Sequence, residues 1–95
     1  MTEAIALTSH AHPNEDVVFR DLQGEMVLLN LKTGVYFGLD SIGTRIWHLI
    51  QERRSLQEIR DAVMQEYDVT KDQCEHDLLK FVGQLREREL VEVRL

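Results

Sequence analysis

Glu25-Met26-Val27-Leu28-Leu29-Asn30-Leu31, then Lys32-Thr33-Gly34, then Val35-Tyr36-Phe37-Gly38-Leu39, is the stretch that decides the fold. The first run is apolar on both faces, with Val27, Leu29 and Leu31 on one and Met26 and Leu28 on the other. A strand of that kind is central in its sheet. Lys32-Thr33-Gly34 fits a short hairpin turn, with Gly34 suited to a positive φ. Val35 to Leu39 is then the returning strand. Before the hairpin, Val17-Val18-Phe19 forms a β-branched and aromatic run, closed by Asp21-Leu22-Gln23-Gly24. Three antiparallel strands in a meander follow, with the third at an edge.

After Leu39 the apolar period changes to that of helices. Asp40-Ser41 caps a first helix in which Ile42, Ile46, Leu49 and Ile50 share a face. Ser55-Leu56-Gln57-Glu58 is a capping box, and Leu56, Ile59, Val63 and Tyr67 form the stripe behind it. Thr70-Lys71-Asp72-Gln73 reads as a second box, flanked by Val69 and Cys74 at the staple positions. The third helix runs from Lys71 to about Arg88, with Cys74, Leu78, Phe81, Val82 and Leu85 as its stripe. Leu90 to Leu95 forms a short terminal strand or frays. Asp68-Val69-Thr70 alone separates the second and third helices, the spacing of a helix-turn-helix. The expected class is α+β and winged helix-turn-helix-like: a three-stranded antiparallel sheet followed by three helices.

The chain has 95 residues, enough for one small domain. Residues 1–15 contain the only proline, Pro13, and read as a flexible lead-in, with the domain over 16–95. Ile5 and Leu7 are the lead-in's own candidates for a short paired strand. This opening has neither a basic start nor a long apolar middle, so it is not a secretory signal. No apolar run is long enough for a membrane helix. A single cysteine excludes an internal disulfide and points to the reducing cytoplasm.

Net charge is −6, from 11 basic and 17 acidic side chains, which disfavours a polyanion partner. The winged-helix topology makes a DNA-binding regulator the rival reading. Its recognition helix would carry Lys71, Lys80, Arg86 and Arg88 against Asp72, Glu75, Asp77 and Glu87, with its leading half acidic. Cys74 and His76 stand two apart on a helix, about 200° around it, and cannot share a proton or an ion. His10-Ala11-His12 has no further ligands to complete a metal site. No nucleotide motif is present. The sequence offers no catalytic residue, metal site or cofactor, and an enzyme is not expected.

The ordered series Leu29-Asn30, Thr33-Gly34, Tyr36, Leu39-Asp40, Gly43 and Ile46-Trp47 resembles the PqqD-like family of peptide chaperones, or RiPP recognition elements. Leu56, Ile59, Tyr67-Asp68-Val69, Asp77-Leu78, Phe81-Val82, Leu85 and Leu90-Val91 continue the resemblance, which spans residues 17–93. It implies binding of the leader of a ribosomally made precursor peptide. The leader is held as an added strand on the third strand, against the third helix. Carried onto this chain, the edge is Val35, Tyr36, Phe37, Gly38 and Leu39, and the helical wall is Cys74, Asp77, Leu78, Phe81 and Leu85. Gly38 lets a peptide approach closely, and Asp77 suits a basic or hydroxyl group of the leader. By periodicity alone Val35, Phe37 and Leu39, and equally Leu78, Phe81 and Leu85, read as core, and Trp47 as a core anchor. The exposed edge and Tyr36 are what packing does not claim.

The quinone-pathway member of the family typically has a Pro-Glu-Gly turn before its third strand and Thr-Ala after it. Here Lys32-Thr33-Gly34 and Ile42-Gly43 stand instead. The stretch from Gly34 to Asp40 with Ile46-Trp47 is more similar to the stand-alone proteins of lasso-peptide clusters. That resemblance implies a separate leader peptidase, a transglutaminase-like cysteine protease, and a cyclase as partners. A quinone-type chaperone is the alternative, and a weak homodimer through the free edge is a further expectation.

Overall fold

The computed structural model describes residues 4–23 and 25–94. Gly24 of the first turn, Leu95 and residues 1–3 of the lead-in lie outside the described residues. The element order is β1 (His10–Pro13), β2 (Val17–Leu22), β3 (Glu25–Asn30), β4 (Tyr36–Leu39), α1 (Ser41–Gln51), α2 (Leu56–Glu66), α3 (Lys71–Glu87) and β5 (Val91–Arg94). β2-β3-β4 is the expected antiparallel meander, with β3 central and β4 at an edge, and three helices follow it. The third strand of the sequence reading is thus β4. The core face of β3 is Met26, Leu28 and Asn30; Val27 and Leu29 are half-buried on the outer face. The principal core gathers Leu28 with Trp47, Leu49, Ile50, Ile59, Val82 and Leu85, all without solvent exposure. Trp47 meets Phe19 edge-on at 6.3 Å between centroids, the anchor role its size predicts.

The boundary expected at residue 16 is not where packing stops. β1 pairs with β5 from His10↔Arg94 to Pro13↔Val91, so the terminal segment is a strand rather than a frayed end. Upstream, the Leu56 amide donates to the Ser9 carbonyl at 2.9 Å and the Gln57 amide to the Leu7 carbonyl at 2.8 Å. Those are the first two amides of α2, which have no partner within the helix. The lead-in supplies their acceptors, while Ile5 and Leu7 pack against the core. The partners are some fifty residues apart in sequence. Nothing local in the lead-in reports them, which is why the stretch reads as loose.

The caps follow the sequence closely. Asp40 accepts from the Gly43 amide at 2.7 Å, and Ser55 and Glu58 form the full reciprocal box. The Ser55 amide bonded to its carboxylate holds Glu58 below the usual glutamate range. That contribution is therefore present above the ordinary glutamate range and fades as pH falls through the lowered value. The third cap is only half a box. Thr70 accepts from the Gln73 amide at 3.3 Å, but the Gln73 side chain turns to Asp77 at 2.9 Å.

The end of α3 is a Schellman turn. The Leu90 amide donates to the Leu85 carbonyl and the Glu89 amide to the Arg86 carbonyl, at 2.9 and 3.0 Å. Leu85 and Leu90, the apolar pair of that motif, are both fully buried. The left-handed position, normally glycine, is Glu89 at φ 58°. Glu89→Gly removes that strain and is expected to stabilise the domain by about 0.5–1 kcal/mol, read as a raised melting temperature.

Candidate functional site

β4 pairs with β3 on one side only. The direction of its backbone groups follows from one bond. The Asn30 amide donates to the Val35 carbonyl at 2.9 Å, which makes Asn30 and Val35 a hydrogen-bonded pair. Antiparallel pairs alternate, so Phe37 with Leu28 and Leu39 with Met26 are bonded pairs too. The same alternation holds across β3. Its odd residues turn to β2, as the Leu31 amide donating to Asp16 at 2.9 Å requires. Tyr36 and Gly38 therefore direct both their N–H and their C=O away from the sheet.

Asn30 makes the hairpin rigid. Its Oδ1 accepts the Lys32 and Thr33 amides at 2.9 and 3.1 Å, and its Nδ2 donates to the Glu89 carbonyl at 2.7 Å. Gly34 takes φ 76°, as the turn demands. The side chain that shapes the turn thus also ties β3 to the end of α3, and is 1% exposed.

Beside the open edge lies a groove of about 620 Å³. β4, the first turns of α1, the α2–α3 turn and α3 enclose it. Phe37, Leu39, Ile46, Val63, Leu78 and Phe81 supply its apolar lining, and Asp40, Asp68, Asp77 and Gln84 its polar part. Phe37 and Phe81 meet edge-on at 6.3 Å, joining β4 to α3, and the Arg88 guanidinium lies 4.8 Å from the Phe37 ring centre. Gly43 is there for space. A Cβ on it would stand 3.2 Å from the Asp40 carboxylate that caps the helix and 3.4 Å from Phe81. At Gly38 a Cβ would meet nothing within 4 Å and would project with Tyr36 from the outer face, so packing within the domain does not require glycine there.

Seven of the residues singled out from sequence line this groove: Phe37, Gly38, Leu39, Cys74, Asp77, Leu78 and Phe81. Tyr36 contributes backbone to the edge, while its side chain is 74% exposed on the opposite face of the sheet. Val35 sits in the turn before the strand. Leu85 is buried and does not reach the groove, because the Schellman turn engages it with Leu90. Cys74 is buried with its thiol pKa pushed up by desolvation, and it donates weakly to the Arg60 carbonyl at 3.7 Å. A neutral buried thiol packs; it does not attack. Sequence reasoning missed the α1 and α2 side of the groove: Asp40, Gly43, Ile46, Val63, Tyr67, Asp68 and Val69. Asp40 and Val69 are visible in the sequence as cap and staple, Ile46, Val63 and Tyr67 as core stripe, Asp68 as a turn residue and Gly43 in the family series.

Among the described residues, no three His, Cys, Asp or Glu side chains come together as a metal site. No helix among them is long and apolar enough to cross a membrane.

A family model described as Coenzyme PQQ synthesis protein D (PqqD) matches residues 25–91. A search of curated proteins found no match. Among solved structures, "TbiB1 in Complex with the TbiA(beta) Leader Peptide" is 43% identical, with a TM-score of 0.81 over 85% of this chain and 94% of that one. "Lasso peptide synthetase B1 complexed with the leader peptide" shares the fold at 20% identity. Its TM-score is also 0.81, over 87% of this chain and 98% of that one. The family match spans both strands of the decisive hairpin and all three helices, so this chain belongs to the PqqD family.

Proposed function

We propose that this protein binds the leader segment of a ribosomally made precursor peptide and delivers it to a separate processing enzyme. The observation that carries the reading is the outward backbone of Tyr36 and Gly38 beside an apolar groove. An extended peptide added along β4 satisfies those unpaired groups, which gives affinity with little dependence on sequence. Its side chains on one face enter the groove, against Phe37, Leu39, Leu78 and Phe81, which gives selectivity. Two structural neighbours that are leader-peptide complexes, one of them 43% identical, support the same ligand class.

The chemistry is capture, not catalysis. Holding the leader raises the local concentration of the rest of the precursor at the partner. The lasso pathway is favoured by the resemblance of the Gly34 to Asp40 stretch and Ile46-Trp47. The partner is then a leader peptidase of transglutaminase-like cysteine protease type, with a cyclase acting afterwards, in the cytoplasm. The family's own description keeps a quinone-pathway precursor as the second candidate. A weak homodimer through two free β4 edges competes with the peptide.

The test is a fluorescence-anisotropy isotherm at physiological salt with three probes: the TbiA(beta) leader peptide, a quinone-pathway precursor peptide and a short DNA duplex. Saturable binding of the TbiA(beta) leader alone is expected. Binding of the quinone precursor instead moves the protein to that pathway. Binding of DNA with neither peptide overturns the reading.

A further inference from the structure

The rim of the groove carries charge of one sign. Asp40, Asp68 and Asp77 line it, and no lysine or arginine does. The three come from separate places in the chain: the cap of α1, the α2–α3 turn and the second turn of α3. Two of them bond only to neutral donors, Asp40 to the Gly43 amide and Asp77 to the Gln73 amide group. Among the described residues no ion pair engages any of the three. None of the three is neutralised by a cationic side chain among those residues. Arg88 stands towards the other end of β4, over Phe37.

We infer that the groove selects an extended peptide in which an apolar anchor is accompanied by lysine or arginine on the side lying over Leu39 and Asp40. The inference rests on the leader-binding reading and specifies the chemistry of the ligand. Apolar walls focus the field of the carboxylates into the groove, so a cation there gains more than one on an open surface. The same argument makes a second copy of this chain the weaker competitor for the edge. Its edge strand contains no lysine or arginine from Val35 to Leu39 and would bring another Asp40 to an acidic rim.

The experiment is a double-mutant cycle in binding. The probes are the TbiA(beta) leader peptide and a version with every Lys and Arg replaced by Gln. The proteins are the parent, Asp68→Asn with Asp77→Asn, and a control with equal charge change at the far end of α1, Glu15→Gln with Glu52→Gln. Asp40 is left intact because it caps α1. On the parent and the control, the Gln peptide is expected to bind about three- to tenfold more weakly, the range of two exposed ion pairs. On the Asp68/Asp77 variant the two peptides should differ by less than about twofold. Raising the salt should narrow the gap on the parent. Equal discrimination by all three proteins, or none by the parent, overturns the charge assignment while leader binding stands. Failure of the unmodified leader to bind the parent overturns both.

Discussion

Tyr36→Pro is expected to weaken leader binding at least about tenfold while moving the melting temperature little. Phe37→Pro, one residue on, is expected to destabilise the fold by about 3 kcal/mol or more. The contrast comes from the alternation of β4. The Tyr36 N–H points away from β3 and its ring is 74% exposed, so the free domain loses neither a ladder bond nor packing. A bound strand loses an acceptor's partner, worth about 0.5–1.5 kcal/mol, and meets the pyrrolidine ring where its own backbone should lie. The Phe37 N–H faces Leu28 within the sheet, and its ring packs against Phe81 and under Arg88. Anisotropy and thermal melting on both variants check the pair. Undiminished leader affinity in Tyr36→Pro shows that the peptide does not add to this edge.

Asn30→Ala is expected to cost about 2–3 kcal/mol, measured by denaturant unfolding. The Lys32 and Thr33 amides are at an exposed turn and recover water when the Oδ1 acceptor goes. The Glu89 carbonyl loses a 2.7 Å bond from the Nδ2 of a side chain only 1% exposed, and a polar group left unsatisfied out of reach of water costs about 1–3 kcal/mol. The deleted side chain leaves a small void as well. Asn30→Asp keeps the turn acceptor but puts a carboxylate against the Glu89 carbonyl. It is expected to be at least as damaging as alanine, which separates the tie to α3 from the turn. If Asp behaves like the parent, the turn bonds carry the stability and the tie does not.

Much of the site was legible residue by residue. Phe37 and Leu39 read as a strand face, Cys74, Leu78 and Phe81 as a helix stripe, and the two sets do meet across one groove. Leu85 was placed with them because periodicity gives a face and not its length. Where that face stops being open depends on the turn at Glu89 and on Leu90 folding back over it. Asp68 and Val63 escaped because a turn and a core stripe say nothing about which strand lies opposite. Asn30 was visible within the strand and in the family series, but its tie to α3 was not, because its partner is 59 residues away.

The sequence by itself determined the local elements: the hairpin at Gly34, the capped helices at Asp40, Ser55 and Thr70, and an edge strand in a small acidic domain. These follow from side-chain periodicity, turn chemistry and caps, which act between near neighbours. Tertiary structure alone decided that residues 5–13 belong to the folded unit, that Tyr36 and Gly38 face outward, and that three carboxylates from separate elements share one rim. Those outcomes depend on hydrogen-bond register and on which amides remain unpaired after the elements pack. Such long-range accounting has no counterpart in the pattern of neighbouring residues.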